Sequence, residues 1–341
     1  MLNTIYRLKS PRHFEIAIND IPLDASKTIV RPTYLSICHA DQRYYQGKRA
    51  EAVLNEKLPM ALIHEGIGKV INDPTGTYKV GQTVVMIPNM PVETSAVRAE
   101  NYLRSSKFRG SSIDGFMQEY ICAHPDRFIE ISESIDPHVA AFTEIVSVSY
   151  HAIMRFLQIS HCERENIGIW GDGNLGYITA LLIRHIMPKT KLYILGIDSA
   201  KLSDFTFADE VFLVNSIPST ISIDHAFECV GGMASSSAIN QIIDHIKPEG
   251  TISILGVSEE PVPINTRMVL EKGLRIFGSS RSGRADYLGL SELYNSNPNI
   301  LNYLNTLVGL VMPVRSIKDA TAAFETDINK MQGKTIMKWE I

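Results

Sequence analysis

The sequence predicts an α/β protein that consists of a doubly wound parallel sheet and a second, strand-rich part. Its 341 residues are enough for about two domains of ~150 residues each. Between residues 167 and 277, short apolar runs alternate with helical segments, an order that is typical of a parallel sheet covered on both faces. From residue 1 to about 130, short apolar runs are instead separated by Pro, Gly, Asn and Asp, which favours short strands over long helices.

The strand-rich part comes first along the chain and is followed by a helix start. Its strands are predicted at residues 28–37, 68–72, 82–88 and 117–123. Asp136 then provides a helix cap, and Pro137 suits the first helical position. One helix is therefore predicted from Pro137 through Glu144 toward Phe156.

The parallel sheet is predicted from short apolar runs that are bounded by Gly or Asp. Its strands are expected at residues 166–170, 191–197, 211–214, 226–230, 251–257 and 274–277. Helices are expected at residues 175–186, which Pro188 ends, and at residues 234–246. Near the C-terminus, the pattern from Ser316 to Asp319 predicts a capped helix, and residues 335–339 predict a last strand.

The charge and cysteine content exclude several classes of protein. Lys+Arg 33 against Asp+Glu 37 gives a net charge of −4, so that no basic excess attracts nucleic acid or anionic lipid. The N-terminus does not resemble a signal peptide, and no apolar stretch reaches the ~18 residues of a membrane-spanning helix. With four cysteines and no CxxC pair, a disulfide framework is not expected. We therefore expect a cytoplasmic protein without a nucleic-acid or membrane partner.

A glycine-rich loop lies between the first predicted strand of the parallel sheet and the helix that follows. Gly171, Gly173 and Gly176 form a GxGxxG sequence, with Asn174 and Leu175 at the start of the helix. Glycines in this context allow a tight turn, close approach of a pyrophosphate and packing of the helix on the strand. The loop therefore predicts a dinucleotide-binding site.

The end of the second strand of this sheet bears on the choice of dinucleotide. An acidic side chain there would accept hydrogen bonds from the adenosine ribose and repel a 2′-phosphate. If the strand ends at Leu195, Gly196 occupies the acidic position, and Ser199 and Lys201 can meet a phosphate. If the strand continues, Asp198 takes the acidic role and NAD is favoured. We favour NADP.

Metal-competent side chains occur in three separate segments. Cys38 lies in the first, His64 and Glu65 lie in the second, and Glu144 lies in the third. A thiolate, an imidazole and a carboxylate suit zinc, and a catalytic zinc has three protein ligands and an open position. Buried cysteines and paired histidines are also common in protein cores, so that the spacing alone leaves both interpretations open.

The order of these motifs resembles that of a known family. The matching segments are Cys38-x-x-Asp41, His64-Glu65-x-x-Gly68, Glu144 before Ser-Val-x-x-His, the GxGxxG loop, Phe227 to Gly231, and Gly278-Ser279-Ser280. Over essentially its whole length the sequence resembles the zinc-dependent medium-chain alcohol and polyol dehydrogenases. The resemblance implies a GroES-like catalytic domain at residues 1–145, completed by residues 278–341, and a Rossmann NADP-binding domain at residues 146–277.

The resemblance also implies roles for individual residues. Cys38 and His64 resemble zinc ligands, Glu65 and Glu144 resemble acidic ligands or water-bridged partners, and Asp41 resembles the carboxylate that orients a ligand imidazole. Cofactor contacts are implied for His39, at the pyrophosphate, and for Val230 and Gly256.

Two positions depart from the family pattern. Many members hold a structural zinc through four closely spaced cysteines, but residues 89–110 contain none, so that only the catalytic zinc is expected. Ala40 stands where a Ser or Thr usually begins the proton relay. Water, a substrate hydroxyl or Glu65 would therefore have to carry the proton.

Within the family, the sequence resembles the ribulose-5-phosphate reductases most. This resemblance implies NADPH-dependent reduction of D-ribulose 5-phosphate to D-ribitol 5-phosphate, which feeds CDP-ribitol into wall teichoic acid or capsule. It also implies a homo-oligomer, dimer or tetramer, and a cytidylyltransferase as a candidate partner. Arg281 and Arg43 are the candidates for contact with the substrate phosphate, although Arg281 could serve the cofactor phosphate instead.

Two other functions remain as alternatives. An NAD-dependent polyol dehydrogenase acting on unphosphorylated sugar alcohols would be supported by an acidic role for Asp198. The second alternative is a non-catalytic NADPH-binding regulatory protein of the same fold. It is kept because Ala40 removes the hydroxyl group that usually begins the proton relay.

Overall fold

The computed structural model describes residues 1–330 and 332–341, which form two compact units. The first unit comprises Met1–Ile145 and Ser282–Ile341, and the second comprises Val146–Arg281. Strands and helices occur in both units, which confirms the predicted α/β class. No helix among the described residues is long and apolar enough to cross a lipid bilayer.

The secondary structure is numbered here in chain order. The strands are β1 (Leu2–Ser10), β2 (His13–Asp20), β3 (Thr28–Ser36), β4 (Met60–Ala61), β5 (Glu65–Asn72), β6 (Thr83–Met86), β7 (Asn89–Met90), β8 (Lys107–Phe108), β9 (Ile121–Ala123), β10 (Phe128–Glu130), β11 (Asn166–Trp170), β12 (Lys191–Gly196), β13 (Glu210–Leu213), β14 (Ile223–Glu228), β15 (Ile246–Ile254), β16 (Arg275–Gly278), β17 (Val308–Val314) and β18 (Lys334–Trp339). The helices are α1 (His39–Tyr45), α2 (Glu51–Lys57), α3 (Pro137–Ala140), α4 (Thr143–Ile159), α5 (Asn174–Ile186), α6 (Ser199–Leu202), α7 (Ala234–His245), α8 (Thr266–Glu271), α9 (Arg284–Ser296), α10 (Asn299–Asn305) and α11 (Ile317–Ile328).

The first unit is built around strand β3. Its main sheet has the order β10-β6-β5-β3-β18-β17, with β9 also paired to β3, and β1 pairs with β2 and β4 in a second sheet. Ser36 at the end of β3 lies opposite Glu65 of β5 on one side and Ile336 of β18 on the other. The first residue of β18, Lys334, can therefore reach Glu65 across the end of β3, although the two are 269 residues apart in the chain.

The second unit contains the predicted parallel sheet. Its order is β13-β12-β11-β14-β15-β16, and every neighbouring pair is parallel. Isoleucines of α7 and the indole of Trp170 are buried against this sheet, as expected for strands covered by helices. The predicted strands and the two predicted helices of this region are confirmed, with boundaries that differ by a few residues.

The single helix predicted after Asp136 is wrong, because the chain forms two helices there. Asp136 does cap the first, and its carboxylate accepts from the backbone N–H of His138 at 2.8 Å. The backbone N–H of Phe142 then bonds to the carbonyl of Val139, three residues back, at 3.3 Å. The Thr143 hydroxyl donates to the carbonyl of Ala140 at 2.8 Å. This competing side-chain bond and the tight turn end α3, and α4 starts anew at Thr143.

The segment from Asn89 to Gly110 is held by buried ionic contacts. The Arg127 guanidinium is 4% exposed and donates to Glu100 Oε1 at 2.9 Å and to the carbonyl of Asn89 at 3.0 Å. The backbone N–H of Arg284 also donates to Glu100 Oε1 at 2.9 Å. The Glu100 carboxylate thus joins this segment to Arg127 and to Arg284, which lie in later parts of the chain.

Candidate active site

Three of the predicted metal ligands lie together in the first unit. Cys38 directly precedes α1, His64 lies just before β5, and Glu65 is the first residue of β5. The Cys38 Sγ, a ring nitrogen of His64 and a carboxylate oxygen of Glu65 all lie within 4.8 Å of one another. Cys38 and His64, 26 positions apart in the sequence, therefore converge because the end of β3 lies beside the start of β5.

Asp41 orients the two segments that carry these side chains. Its carboxylate is 1% exposed and accepts from the backbone N–H of Cys38 at 3.0 Å and from that of Ile63 at 3.0 Å. Asp41 Oδ1 also lies 3.4 Å from His64 Nδ1. Because Nδ1 of His64 faces the Asp41 carboxylate, Nε2 is the ring nitrogen that could bind a metal.

Lys334 was not recognised in the sequence and pairs with Glu65 of this cluster. Its Nζ is 2.9 Å from Glu65 Oε1 and 2.8 Å from Oε2. Both side chains are buried, with Lys334 at 2% exposure and Glu65 at 0%. Burial disfavours the charge of Lys334, but Glu65 and Cys38 hold its pKa above the ordinary value. A lone lysine at the start of a predicted C-terminal strand gave no signal of this pairing.

The electrostatics of the cluster reflect its burial. Burial and the nearby Glu65 raise the pKa of the Cys38 thiol. Burial opposes the charged form of His64, but the Asp41 carboxylate and Cys38 hold the pKa of its imidazole well above the ordinary value. Burial raises the pKa of Glu144 to about 7, with Glu65 adding to the shift and His64 opposing it. In the metal-free protein, burial therefore favours the neutral forms of Cys38 and Glu144.

Glu144 lies at the start of α4 and is 5% exposed. Its carboxylate interacts electrostatically with His64 and Glu65, but it is not one of the three groups whose ligand atoms lie within 4.8 Å. A direct bond from Glu144 to a metal stays a prediction. The converging thiol, imidazole and carboxylate already form a donor set that fits a catalytic zinc with an open position.

The glycine-rich loop of the second unit runs from β11 into α5. Gly171 has φ +127°, a conformation that glycine adopts readily, and its N–H donates to the carbonyl of Leu195 at 2.8 Å. A Cβ atom at Gly176 would lie 1.9 Å from the carbonyl oxygen of Gly171, so that the close packing of helix on loop requires glycine there. A Cβ atom at Gly173 would meet nothing within 4 Å. Asn174 and Leu175 begin α5, as the predicted site requires.

Strand β12 ends at Gly196, and the residues after it form a short capped helix. Asp198 Oδ1 accepts from the N–H groups of Ala200 at 2.9 Å and Lys201 at 3.3 Å. Lys201 Nζ lies 4.0 Å from Asp198 Oδ2. The strand thus ends one residue beyond Leu195 and does not continue to Asp198, whose carboxylate caps α6, which begins at Ser199. The role of Gly196 at the acidic position stays a prediction.

Asp172, the residue between Gly171 and Gly173, also has a role that was not recognised from its sequence pattern. Its Oδ2 accepts from the backbone N–H of Ile197 at 2.7 Å and from that of Asp198 at 2.8 Å. The signal that could have revealed it is an acidic residue inside the loop combined with a glycine at the end of the next strand.

The other predicted cofactor residues lie in loops after the parallel strands. The Val230 N–H donates to Glu228 Oε1 at 2.9 Å, and the Gly256 N–H donates to Glu228 Oε2 at 3.2 Å. The buried Glu228 thus fixes both loops, and it too was missed. In the first unit, His39 begins α1, and burial lowers its pKa.

The two candidates for the substrate phosphate lie in different units. Arg43 is part of α1 in the first unit, whereas Arg281 is the last residue of the second unit. Arg281 has φ +59°, in the left-handed region.

Two alanine substitutions in the glycine-rich loop should have different effects. Gly176→Ala should lower the free energy of unfolding by about 1–3 kcal/mol, because its Cβ would overlap the Gly171 carbonyl. Gly173→Ala should leave stability nearly unchanged but weaken NADPH binding, because the added methyl group blocks close approach of the pyrophosphate. Urea unfolding and calorimetric titration with NADPH measure the two effects. Equal losses of stability in both variants would contradict the assignment of a packing role to Gly176 and a coenzyme-binding role to Gly173.

The sequence is similar to family models and to full-length relatives of known name. Residues 24–133 match the family model "Alcohol dehydrogenase GroES-like domain", and residues 200–296 match "Zinc-binding dehydrogenase". The chain is 54% identical to the ribulose-5-phosphate reductase of Bacillus spizizenii, over 100% of both chains. It is 51% identical to ribulose-5-phosphate reductase 1 of Staphylococcus aureus, over 99% of both.

A solved structure extends the similarity to the fold. Staphylococcus aureus TarJ in complex with NADPH superimposes with a TM-score of 0.90 and 47% identity, over 100% of both chains. The family models and these full-length relatives cover both compact units. The chain therefore belongs to the zinc-binding alcohol dehydrogenases that contain a GroES-like domain.

Proposed function

We propose that this chain reduces D-ribulose 5-phosphate to D-ribitol 5-phosphate with NADPH. The observation that carries the proposal is the identity of 54% to a ribulose-5-phosphate reductase over the whole of both chains. The relative with bound NADPH supports the choice of coenzyme. The cluster of Cys38, His64 and Glu65 supports the proposal as a candidate site for the metal on which such a reduction depends.

Cys38, His64 and Glu65 would hold the zinc ion, and Glu144 is a further candidate ligand or water-bridged partner. A zinc ion bound there acts as a Lewis acid that polarises the substrate carbonyl. Asp41 keeps His64 in the orientation and tautomer that present Nε2. Lys334 holds the Glu65 carboxylate in place and balances its charge.

The remaining chemistry is divided between the coenzyme site and the proton source. The loop from Gly171 to Gly176 and the N-terminus of α5 would bind the pyrophosphate of NADPH, which donates the hydride. The proton for the new hydroxyl cannot come from residue 40, since Ala40 has no hydroxyl group. Water, a substrate hydroxyl or Glu65 is left to supply it.

The proposed activity is tested by initial rates with matched substrates. Ribulose 5-phosphate should give a kcat/KM at least a hundredfold above that of ribulose, because only the former offers a phosphate for charged hydrogen bonds. Higher rates with unphosphorylated sugar alcohols and NAD would instead identify a polyol dehydrogenase. Binding of NADPH without turnover of either type of substrate would favour the regulatory alternative.

Arg281 is our first candidate for contact with the substrate phosphate. Arg281→Met should raise the KM for ribulose 5-phosphate about tenfold or more, since charged hydrogen bonds of this kind contribute about 1.5–3 kcal/mol. Arg267→Met is a matched control, because Arg267 is 84% exposed and pairs with Glu271. A raised KM for NADPH alone would assign Arg281 to the coenzyme phosphate.

The assembly and pathway are proposed from the same relationship. We expect a homo-oligomer, dimer or tetramer, in the cytoplasm, where NADPH is supplied, and a cytidylyltransferase that uses ribitol 5-phosphate is the candidate partner. The product would then enter CDP-ribitol for wall teichoic acid or capsule. Light scattering after gel filtration measures the oligomeric state, and co-purification with the cytidylyltransferase tests the partner.

A further inference from the structure

A buried carboxylate lies at the edge of the parallel sheet where β14 and β15 end. Glu228, the last residue of β14, is 0% exposed. Its Oε1 accepts from the backbone N–H groups of Val230 at 2.9 Å and Gly231 at 2.8 Å, and its Oε2 accepts from that of Gly256 at 3.2 Å. Successive backbone N–H groups that point to one place form a cavity for an anion. Here the chain fills that cavity with its own carboxylate, which bonds to the loops after two neighbouring strands.

These two loops, residues 229–232 and 255–257, fit closely around the carboxylate and are called the paired loops below. A Cβ atom at Gly256 would lie 2.6 Å from Oε1 of Glu228 and 2.2 Å from the backbone nitrogen of Gly231. The Gly232 N–H also donates to the carbonyl of Val257 at 3.0 Å. The conformation of each loop therefore depends on the other, and Glu228 contacts both.

The strand order relates the paired loops to the coenzyme. Strands β12 and β13 lie on one side of β11, whereas β14 and β15 lie on the other. A dinucleotide binds across the carboxyl ends of the strands at such a reversal of strand order, with its pyrophosphate at the glycine-rich loop after the first strand and its adenosine ribose near the end of the second. The nicotinamide half then extends over the ends of β14 and β15, where the paired loops lie.

We infer that Glu228 is a positioning residue, which holds the paired loops in the conformation that binds the nicotinamide half of NADPH. Its carboxylate is buried and bonded to backbone N–H groups, so that it acts through the loops and not by touching the coenzyme. The inference rests on the proposed coenzyme function of the loop from Gly171 to Gly176. It deepens that function by naming the group that keeps the other half of the coenzyme site in place.

The substitution Glu228→Gln tests this role. In either orientation of the amide, its NH2 group faces at least one of the three N–H donors, so that one of the paired loops loses its bond and shifts. Calorimetric titration compares NADPH with 2′,5′-ADP, which has the adenosine half but lacks nicotinamide. The affinity for NADPH should fall about tenfold or more, since a buried donor is left unsatisfied, whereas the affinity for 2′,5′-ADP should change less than twofold. Unchanged binding of both ligands, or an equal loss for both, would overturn the inference and leave Glu228 with a role in stability alone.

The matched control is a buried carboxylate at the opposite end of the same strand. Asp224 also lies on β14, is 2% exposed and accepts from the backbone N–H of Asn166 at 2.7 Å. Asp224→Asn should therefore change the ratio of the NADPH to the 2′,5′-ADP dissociation constant less than twofold. A change in this ratio as large as that of Glu228→Gln would also overturn the inference, because the effect would then not depend on the paired loops.

A second variant keeps the test decisive if Glu228→Gln does not fold. Glu228→Asp retains the charge but shortens the side chain by one methylene group, so that the carboxylate cannot reach both loops, and the same selective loss of NADPH affinity is expected. Failure of the wild-type chain to bind NADPH would overturn the proposed function together with the inference. Normal NADPH binding by the wild-type chain with an unchanged ratio in both Glu228 variants would overturn the inference alone.

Discussion

Cys38→Ser is expected to lose the catalytic metal and at least about a thousandfold in kcat/KM. A serine hydroxyl is a poor zinc ligand compared with a thiolate, and the cluster would keep His64 and Glu65 as its closely spaced donors. Lewis-acid stabilisation of the developing alkoxide contributes several kcal/mol, and each 1.36 kcal/mol is tenfold in rate. Metal analysis by mass spectrometry and initial rates with NADPH and ribulose 5-phosphate measure both losses.

Cys162→Ser is the control for this substitution. Cys162 is a free, exposed thiol, so that its replacement should leave both zinc content and rate unchanged. Treating the wild-type protein with a chelator should reproduce the Cys38→Ser phenotype, and added zinc should restore only the wild-type protein. Full activity of Cys38→Ser without bound zinc would refute the metal-dependent mechanism.

Lys334→Met should lower the free energy of unfolding of the metal-free protein by about 3–5 kcal/mol. The substitution leaves the fully buried Glu65 carboxylate without the ammonium group 2.8 Å away. Removing one partner of a buried ion pair destabilises a protein by about 3–5 kcal/mol, because the other charge stays buried and unpaired. Urea unfolding in the presence of a chelator measures the change. The double variant Lys334→Met/Glu65→Gln should recover part of the loss, because the unpaired charge is then removed.

Lys338→Met provides a matched comparison on the same strand. Lys338 has a 49% exposed side chain and pairs with Glu340, and exposed ion pairs contribute about 0–1 kcal/mol. Its replacement should therefore change stability by less than about 1 kcal/mol. An equally small change for Lys334→Met would contradict a stabilising buried ion pair between Lys334 and Glu65.

The sequence predicted the parallel sheet well because its signals are local. Each predicted strand of that sheet is a short apolar run bounded by glycine or aspartate, and the loop from Gly171 to Gly176 follows the first of them. The helix after Asp136 was predicted as one because apolar spacing continues across the break. The Thr143 hydroxyl donates to the carbonyl of Ala140, and this bond helps to end α3. The spacing of apolar residues does not reveal a side-chain hydrogen bond of this kind.

The candidate site could be predicted only where its residues form recognisable motifs. Cys38, His64 and Glu65 were predicted as a group, and the structure brings them together. Lys334 and Asp172 were missed because their partners are set by strand register and loop contacts, which sequence spacing does not show. The family was identified from the order of the motifs, and the full-length relatives confirm it.

The carboxylate of Glu100 has a practical consequence for the metal content of the cell. It fixes the segment from Asn89 to Gly110 through Arg127 and the Arg284 N–H, with hydrogen bonds that need no cation from outside the chain. The folding of this segment is then independent of zinc supply. We therefore expect removal of zinc to abolish activity while this segment stays folded.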